Sequence, residues 1–129
     1  MYLALKHSHT LAAVLSLLCT LAWAIVAWNG AKPGSQLLGK LKVVYIANRA
    51  TTGIAGITGL LVTFVGPWRE FVFPYIGLTA FIAHGLFATV SKRAFGSNKD
   101  LLQRSVLLAQ VAALLVASAV MTMKFPLSL

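Results

Sequence analysis

A chain of 129 residues that is 59% hydrophobic and only 10% charged is not a water-soluble domain, and four apolar stretches of spanning length leave no room for a second one. Its formal charge of +9, eleven Lys and Arg against Glu70 and Asp100, would suggest nucleic acid in a soluble protein. Here the basic residues sit mostly between apolar stretches, where they set orientation and meet anionic headgroups, and no basic face is interleaved with aromatics for base stacking.

The first predicted span covers about residues 3–28, interrupted near its start by Lys6, His7 and His9. Ala22 and Ala24 imitate a signal-peptidase site, but bulky Trp23 lies between them and the apolar run continues to Trp28. Retention as a span is therefore expected, with Trp28 as an interfacial anchor. Cys19, the single cysteine, makes no internal disulfide or thiolate metal site; Leu18 before it is too large for a lipoprotein signal. It reads as a small buried hydrophobe. The connection Asn29–Lys42 carries turn signals and three lysines, and Leu37, Leu38 and Leu41 suggest a short helical turn at the membrane surface.

The second span, about residues 43–65, is the stretch the rest is organised around. It is long enough to cross a bilayer, yet it carries Asn48, Arg49 and a row of glycines. A charge near a span centre costs about 2.5–3.5 kcal/mol on insertion scales, so it must face helices, water or headgroups. At helical spacing Arg49, Thr52, Gly56, Gly59 and Thr63 share one face, a small and polar stripe that reads as the inner seam of a bundle. Gly66-Pro67 is a tight turn, which makes spans two and three an antiparallel hairpin. The third span, about 71–91, tolerates Pro74 in its first turn. A basic connection with a Gly96-Ser97-Asn98 turn leads to the fourth span, about 103–123, which Lys124, Phe125 and Pro126 end. The two long connections hold seven Lys and Arg against three on the other side, which predicts both termini outside.

At 1.5 Å per residue, Arg49, His84 and Gln110 all lie roughly 10 Å in from the side of the basic connections. Three polar side chains on three helices thus share one layer. Asn48 and Thr52 are neighbours, and Thr20 is a candidate fourth member. Two readings follow. In one, Arg49, His84, Gln110, Asn48 and Thr52 line a pocket, open toward the cytoplasm, that binds an anionic headgroup, a quinone or a small polar ligand, with Arg49 as the fixed charge. In the other, these groups satisfy one another as interhelical glue and Arg49 snorkels to the headgroups.

His7, His9 and His84 are the candidate metal ligands. Positions i and i+2 point to nearly opposite helix faces, so His7 and His9 do not chelate one metal together. Haem b needs a histidine from each of two helices at matching depth, and His9 and His84 differ by about 10 Å at the helical rise. Copper would use a histidine with Met121 or Met123. Enzyme signatures are missing: no acidic pair, no HExxH, no phosphate-cradling loop and no nucleophile elbow.

The opening Met-Tyr, the Leu5-Lys6-His7-Ser8-His9 segment before an apolar helix, Thr58-Gly59 late in span two and the basic Lys92-Arg93 turn resemble the SirB family of small bacterial inner-membrane proteins. The resemblance implies four spans in about this length. It departs early in span two, where the family pattern has Pro-His and Asp and this chain has Asn48, Arg49 and Thr52.

The sequence therefore predicts an all-α, integral-membrane, antiparallel four-helix bundle, a single domain over residues 1–129, with both termini outside and a place in the bacterial inner membrane. The expected role is non-enzymatic: an accessory subunit, or a bundle binding a ligand, lipid or quinone, with no resident cofactor. The alternatives are a haem- or copper-binding redox protein and a small homodimeric transporter. Expected partners are membrane lipids, a larger membrane complex or a second copy, and not nucleic acid.

Overall fold

The computed structural model describes residues 1–30, 39–95 and 100–123, and over these the chain is four helices: α1 (Tyr2–Gly30), α2 (Lys40–Val65), α3 (Phe73–Ala94) and α4 (Asp100–Met123). The expected surface turn at Leu37 and Leu38, the Gly96-Ser97-Asn98 turn and the stop at Lys124, Phe125 and Pro126 lie outside the described residues.

Three segments, Tyr2–Asn29, Phe73–Ala94 and Leu101–Thr122, are long and apolar enough to cross a membrane. α2, the helix expected to be the central span, is not among them. Its 26 residues reach roughly 39 Å at the helical rise. What it lacks is hydropathy, because Lys40, Lys42, Asn48, Arg49, two threonines and two glycines dilute its first two-thirds.

α1 packs against α2 and α4, and α3 packs against α4 and α2. Contacting pairs run in opposite directions along neighbours. His9 meets Ala55 and Thr58, Ser16 meets Thr52, and Thr20 meets Asn48. Gly56 faces Phe81 while Arg49 reaches Gly85. Gly77 faces Met121 while His84 meets Gln110. Each helix turns inward residues spaced alternately by three and four: 16, 20, 23 and 27 on α1; 84, 88 and 91 on α3; 103, 107, 110 and 114 on α4. That spacing keeps a side-chain stripe against a neighbour inclined at a shallow angle.

The distribution of polarity is inverted relative to a soluble domain. Ser16, Thr20, Asn48, Thr52, His84, Ser91, Gln103 and Gln110 are buried, while Leu11, Leu18, Ile25, Ile57, Leu86, Leu108 and other large apolar side chains face outward. An apolar exterior suits lipid tails, and polar groups then need partners inside.

Two aromatic clusters close the ends. At the end where α1 finishes and α2 begins, Trp23, Ala27, Tyr45, Ala88, Phe95 and Leu107 form one buried cluster. Lys92 lies over the Tyr45 ring, 5.4 Å from its centroid, and Arg104 over Trp28 at 4.9 Å. At the other end Trp68, Phe71 and Phe73 pack ring to ring, and the Trp68 indole N–H donates to the Tyr2 hydroxyl. α3 begins at Phe73 rather than near residue 71 because residues 68–71 form a turn of their own, closed by the Phe71 N–H on the Trp68 carbonyl at 3.0 Å. Pro74 then falls in the first turn, where its missing N–H costs nothing.

Candidate functional site

The polar layer is a bonded node. Thr20 donates to Asn48 Oδ1 at 2.6 Å, and the Thr20 hydroxyl lies 3.0 Å from His84 Nε2. Gln110 Nε2 lies 3.3 Å from the same ring nitrogen. All four helices thereby contribute one side chain: Asn48 is 0% exposed, His84 1% and Gln110 1%. One turn away, Ser16 and Thr52 pair hydroxyl to hydroxyl. On the opposite side the Trp23 indole N–H donates to Ser91 Oγ at 3.1 Å, and Ser91 donates to the Ala88 carbonyl.

Arg49 stands outside this node. It is exposed, and its Nη1 donates to the Gly85 carbonyl at 2.7 Å. The sequence placed it at the right depth, one residue from the His84 level, and on the wrong side of α2. The helical wheel explains why. At about 100° per residue, the mean direction of Thr52, Gly56, Gly59 and Thr63 lies roughly 50° from Asn48 and roughly 50° from Arg49 on the other flank. Periodicity alone does not choose between them. Charge does, because a buried guanidinium would need an internal counter-ion and neither acidic residue lies in α2 or α3. The amide went inside and the cation went out. Arg49→Ala should accordingly change stability by about 1 kcal/mol or less, since Thr89 also donates to the Gly85 carbonyl. Thermal unfolding in detergent checks this; a larger loss would place the guanidinium in a tighter environment than its exposure indicates.

The node does not open toward the end bearing the basic connections, as a pocket there would require. The Trp23, Tyr45, Phe95 and Leu107 cluster seals it on that side. Open space lies on the other side, in a cavity of about 460 Å³ between all four helices. Ser16 and Thr52 are at its inner end, Gly56, Gly59, Phe81 and Met121 form walls, and Tyr2, Lys6 and Trp68 line its far end. The exposed residues Thr10, Val14, Leu60 and Thr122 also border it, so it opens sideways between the helices onto their outer surface.

Small residues make this space. A methyl group on Gly59 would lie 3.0 Å from His9 Cε1, so the glycine gives the imidazole its seat. His9 Nδ1 is 3.0 Å from the Ala55 carbonyl and 3.2 Å from Thr58 Oγ1, whose own proton goes to the Ile54 carbonyl. Both partners accept, so Nδ1 carries the hydrogen and the neutral ring keeps its lone pair on Nε2. His7, by contrast, is exposed.

The histidines do not assemble a haem site. His84 Nε2 is engaged by Thr20 and Gln110, and His9 sits at the level of Ala55, seven residues or about 10 Å along α2 from the level of Asn48. No group of three or more His, Cys, Asp and Glu among the described residues is placed to hold a metal ion. His9 and Met121 do line the same cavity; the Met123 side chain lies outside the described residues.

The sequence pointed to the node and missed the cavity. His9 was visible as a metal candidate only, and the signal for its wall position was the spacing His9, Ser16, Trp23, seven residues apart on one face of α1. Gln103, buried at 3% exposure, belongs to the same kind of row, seven residues before Gln110.

Comparison with protein-family models, with curated proteins and with solved structures gives no match for this chain.

Proposed function

We propose that the protein is an integral-membrane, antiparallel four-helix bundle that binds one amphiphilic molecule, a lipid or a quinone, between its helices without chemically transforming it. The observation that carries this reading is the cavity of about 460 Å³, apolar over most of its wall and open sideways to lipid, with His9 seated in it. A pocket of this size suits a small-molecule headgroup or a chain segment, and a few placed polar groups orient the guest. His9 Nε2 accepts a hydrogen bond from it, and Lys6 favours an anionic or strongly polar head at the outer end.

In this reading α2 spans with the other three despite its lower hydropathy, because its polar stripe is turned inward and its Ile and Leu residues outward. The excess of Lys and Arg at the α1–α2 and α3–α4 connections supports an orientation with those connections in the cytoplasm and both termini outside, and the proposed setting is a bacterial inner membrane. A reporter fused after Leu129 should read as periplasmic; a cytoplasmic signal would invert the topology. A SirB-like family placement belongs to the same proposal and rests on Leu5-Lys6-His7-Ser8-His9 and Thr58-Gly59.

Native mass spectrometry of protein released from its own membranes tests the binding role. A reproducible adduct of lipid or quinone mass, one per chain, is the expected result. Bare protein under conditions that keep other bundles lipidated would sink it. A second reading, copper held by His9 Nε2 and Met121, is favoured by their shared cavity and by the imidazole N–H fixed on a backbone carbonyl, as in most metal-bound histidines. Near-stoichiometric copper in the same preparation would replace the first reading with the second.

A further inference from the structure

The outward side of the α2–α3 contact carries charge that neither helix answers. Lys42, Arg49 and Lys92 are exposed, and neither acidic residue lies in α2 or α3. At about 100° per residue, Lys42 and Arg49, seven apart, lie roughly 20° from one another around α2, and Gly85 and Lys92 do the same around α3. These two rows face each other. Arg49 Nη1 donates to the Gly85 carbonyl at 2.7 Å, and Lys92 Nζ lies 5.4 Å from the ring centroid of Tyr45, one turn before Arg49. The cations therefore border one seam, which is also where neighbouring helices touch least.

The Gly85 carbonyl holds the guanidinium across the seam, roughly 10 Å in from the basic connections by the helical rise. Thr89 donates to the same oxygen at 3.1 Å, which occupies its second lone pair. The other N–H groups of Arg49 have no hydrogen-bond partner among the described residues. There is room beside them. A β-carbon on Gly53, one turn on from Arg49, would meet nothing within 4 Å, and one on Gly85 would meet only Arg49 Nη1, at 3.6 Å. Ile46, Ile82 and Leu86, each within a turn of Arg49 or Gly85, are exposed.

We infer that this seam is a second lipid site, for the phosphate of an anionic phospholipid in the leaflet at the end of the basic connections. The inference rests on the membrane-spanning part of the reading above and is independent of what the cavity holds. The free edge of the guanidinium offers parallel N–H bonds to two phosphate oxygens. Lys42 and Lys92 add positive potential along the seam without having to touch the same oxygens. A zwitterionic headgroup gains less, because it brings a cation of its own among these. The exposed apolar side chains beside the seam suit acyl chains, which a free phosphate lacks.

The seam is open, so detergent competes for it and the test belongs in a bilayer. The full chain, with carbon-13 at the guanidinium carbon of its arginines, is reconstituted into phosphatidylglycerol–phosphatidylcholine vesicles in buffer without inorganic phosphate. Lipid is then the sole source of phosphorus. Subtracting the Arg49→Gln spectrum isolates the Arg49 signal from those of Arg69, Arg93 and Arg104. Carbon–phosphorus recoupling in solid-state NMR should strip most of the intensity from Arg49. The loss should fall several-fold in pure phosphatidylcholine and shrink with Lys92→Gln. Equal loss in pure phosphatidylcholine overturns the anionic selectivity. No loss in either bilayer, the result expected if acyl chains alone or a second copy cover the seam, overturns the site. An Arg49–phosphorus contact in a protein that retains no amphiphile would sink the cavity reading and leave this one standing.

Discussion

Trp23→Ala should destabilise the folded chain by about 3–5 kcal/mol, the largest loss available from a single side chain here. The indole is completely buried. It meets Tyr45 edge-on with ring centroids 5.0 Å apart, stacks on Phe95 at 6.0 Å and donates to Ser91. Inside a bilayer the driving force for helix association is close packing and internal hydrogen bonding, because a lipid tail solvates an apolar side chain as well as a neighbouring helix does. A void left by the indole is therefore felt as lost contacts among α1, α2 and the end of α3. The cluster also closes the polar node off at the end where α1 finishes and α2 begins, so its loss should speed solvent exchange at His84. Reversible unfolding in mixed micelles measures the first effect. A change of about 0.5 kcal/mol or less, the ordinary size for a surface substitution, would mean that the cluster is not packed as described.

The four helices, the short hairpin between α2 and α3, and the depth of the polar layer could all be read from the sequence, because each follows from one-dimensional rules. Apolar run length marks a helix, Gly66-Pro67 marks a turn, and the helical rise converts residue number to depth. What failed was direction around a helix. Arg49 and Asn48 flank the stripe of Thr52, Gly56, Gly59 and Thr63 equally, and only the cost of burying an unpaired cation separates them. The cavity was illegible for a different reason. Space is a property of four helices together, and a glycine row reads equally as close packing or as room for a neighbour's side chain. Gly59 makes room for the His9 ring, and Gly77 for the end of Met121. The hydropathy of α2 shows the same limit. Its low value is the price of carrying most of the polar stripe, and it becomes intelligible only once the other helices are seen to cover that stripe.

Gly56→Leu should abolish retention of any amphiphile and destabilise the chain by about 1–3 kcal/mol, the usual cost of forcing extra carbons into a packed site. The reason is a ring already in the place of the missing side chain. A β-carbon on Gly56 would lie 2.5 Å from Phe81 Cζ, 2.6 Å from Cε2 and 2.8 Å from Cε1. The leucine must push the ring into the cavity both residues line, or push α2 from α3, whose contact is the sparsest in the ring of helices. Adding Phe81→Ala to Gly56→Leu exchanges an aromatic ring on one helix for a branched chain on the facing one. Most of the stability should return, with an interaction energy within the roughly 0.5–3 kcal/mol found for touching residues. Additivity within about 0.5 kcal/mol would show that ring and glycine do not share a site. The ligand readout is separate. If folded Gly56→Leu protein keeps the wild-type adduct in native mass spectrometry, the amphiphile binds elsewhere on the bundle, and the cavity between the helices is a packing defect filled by lipid tails from the side.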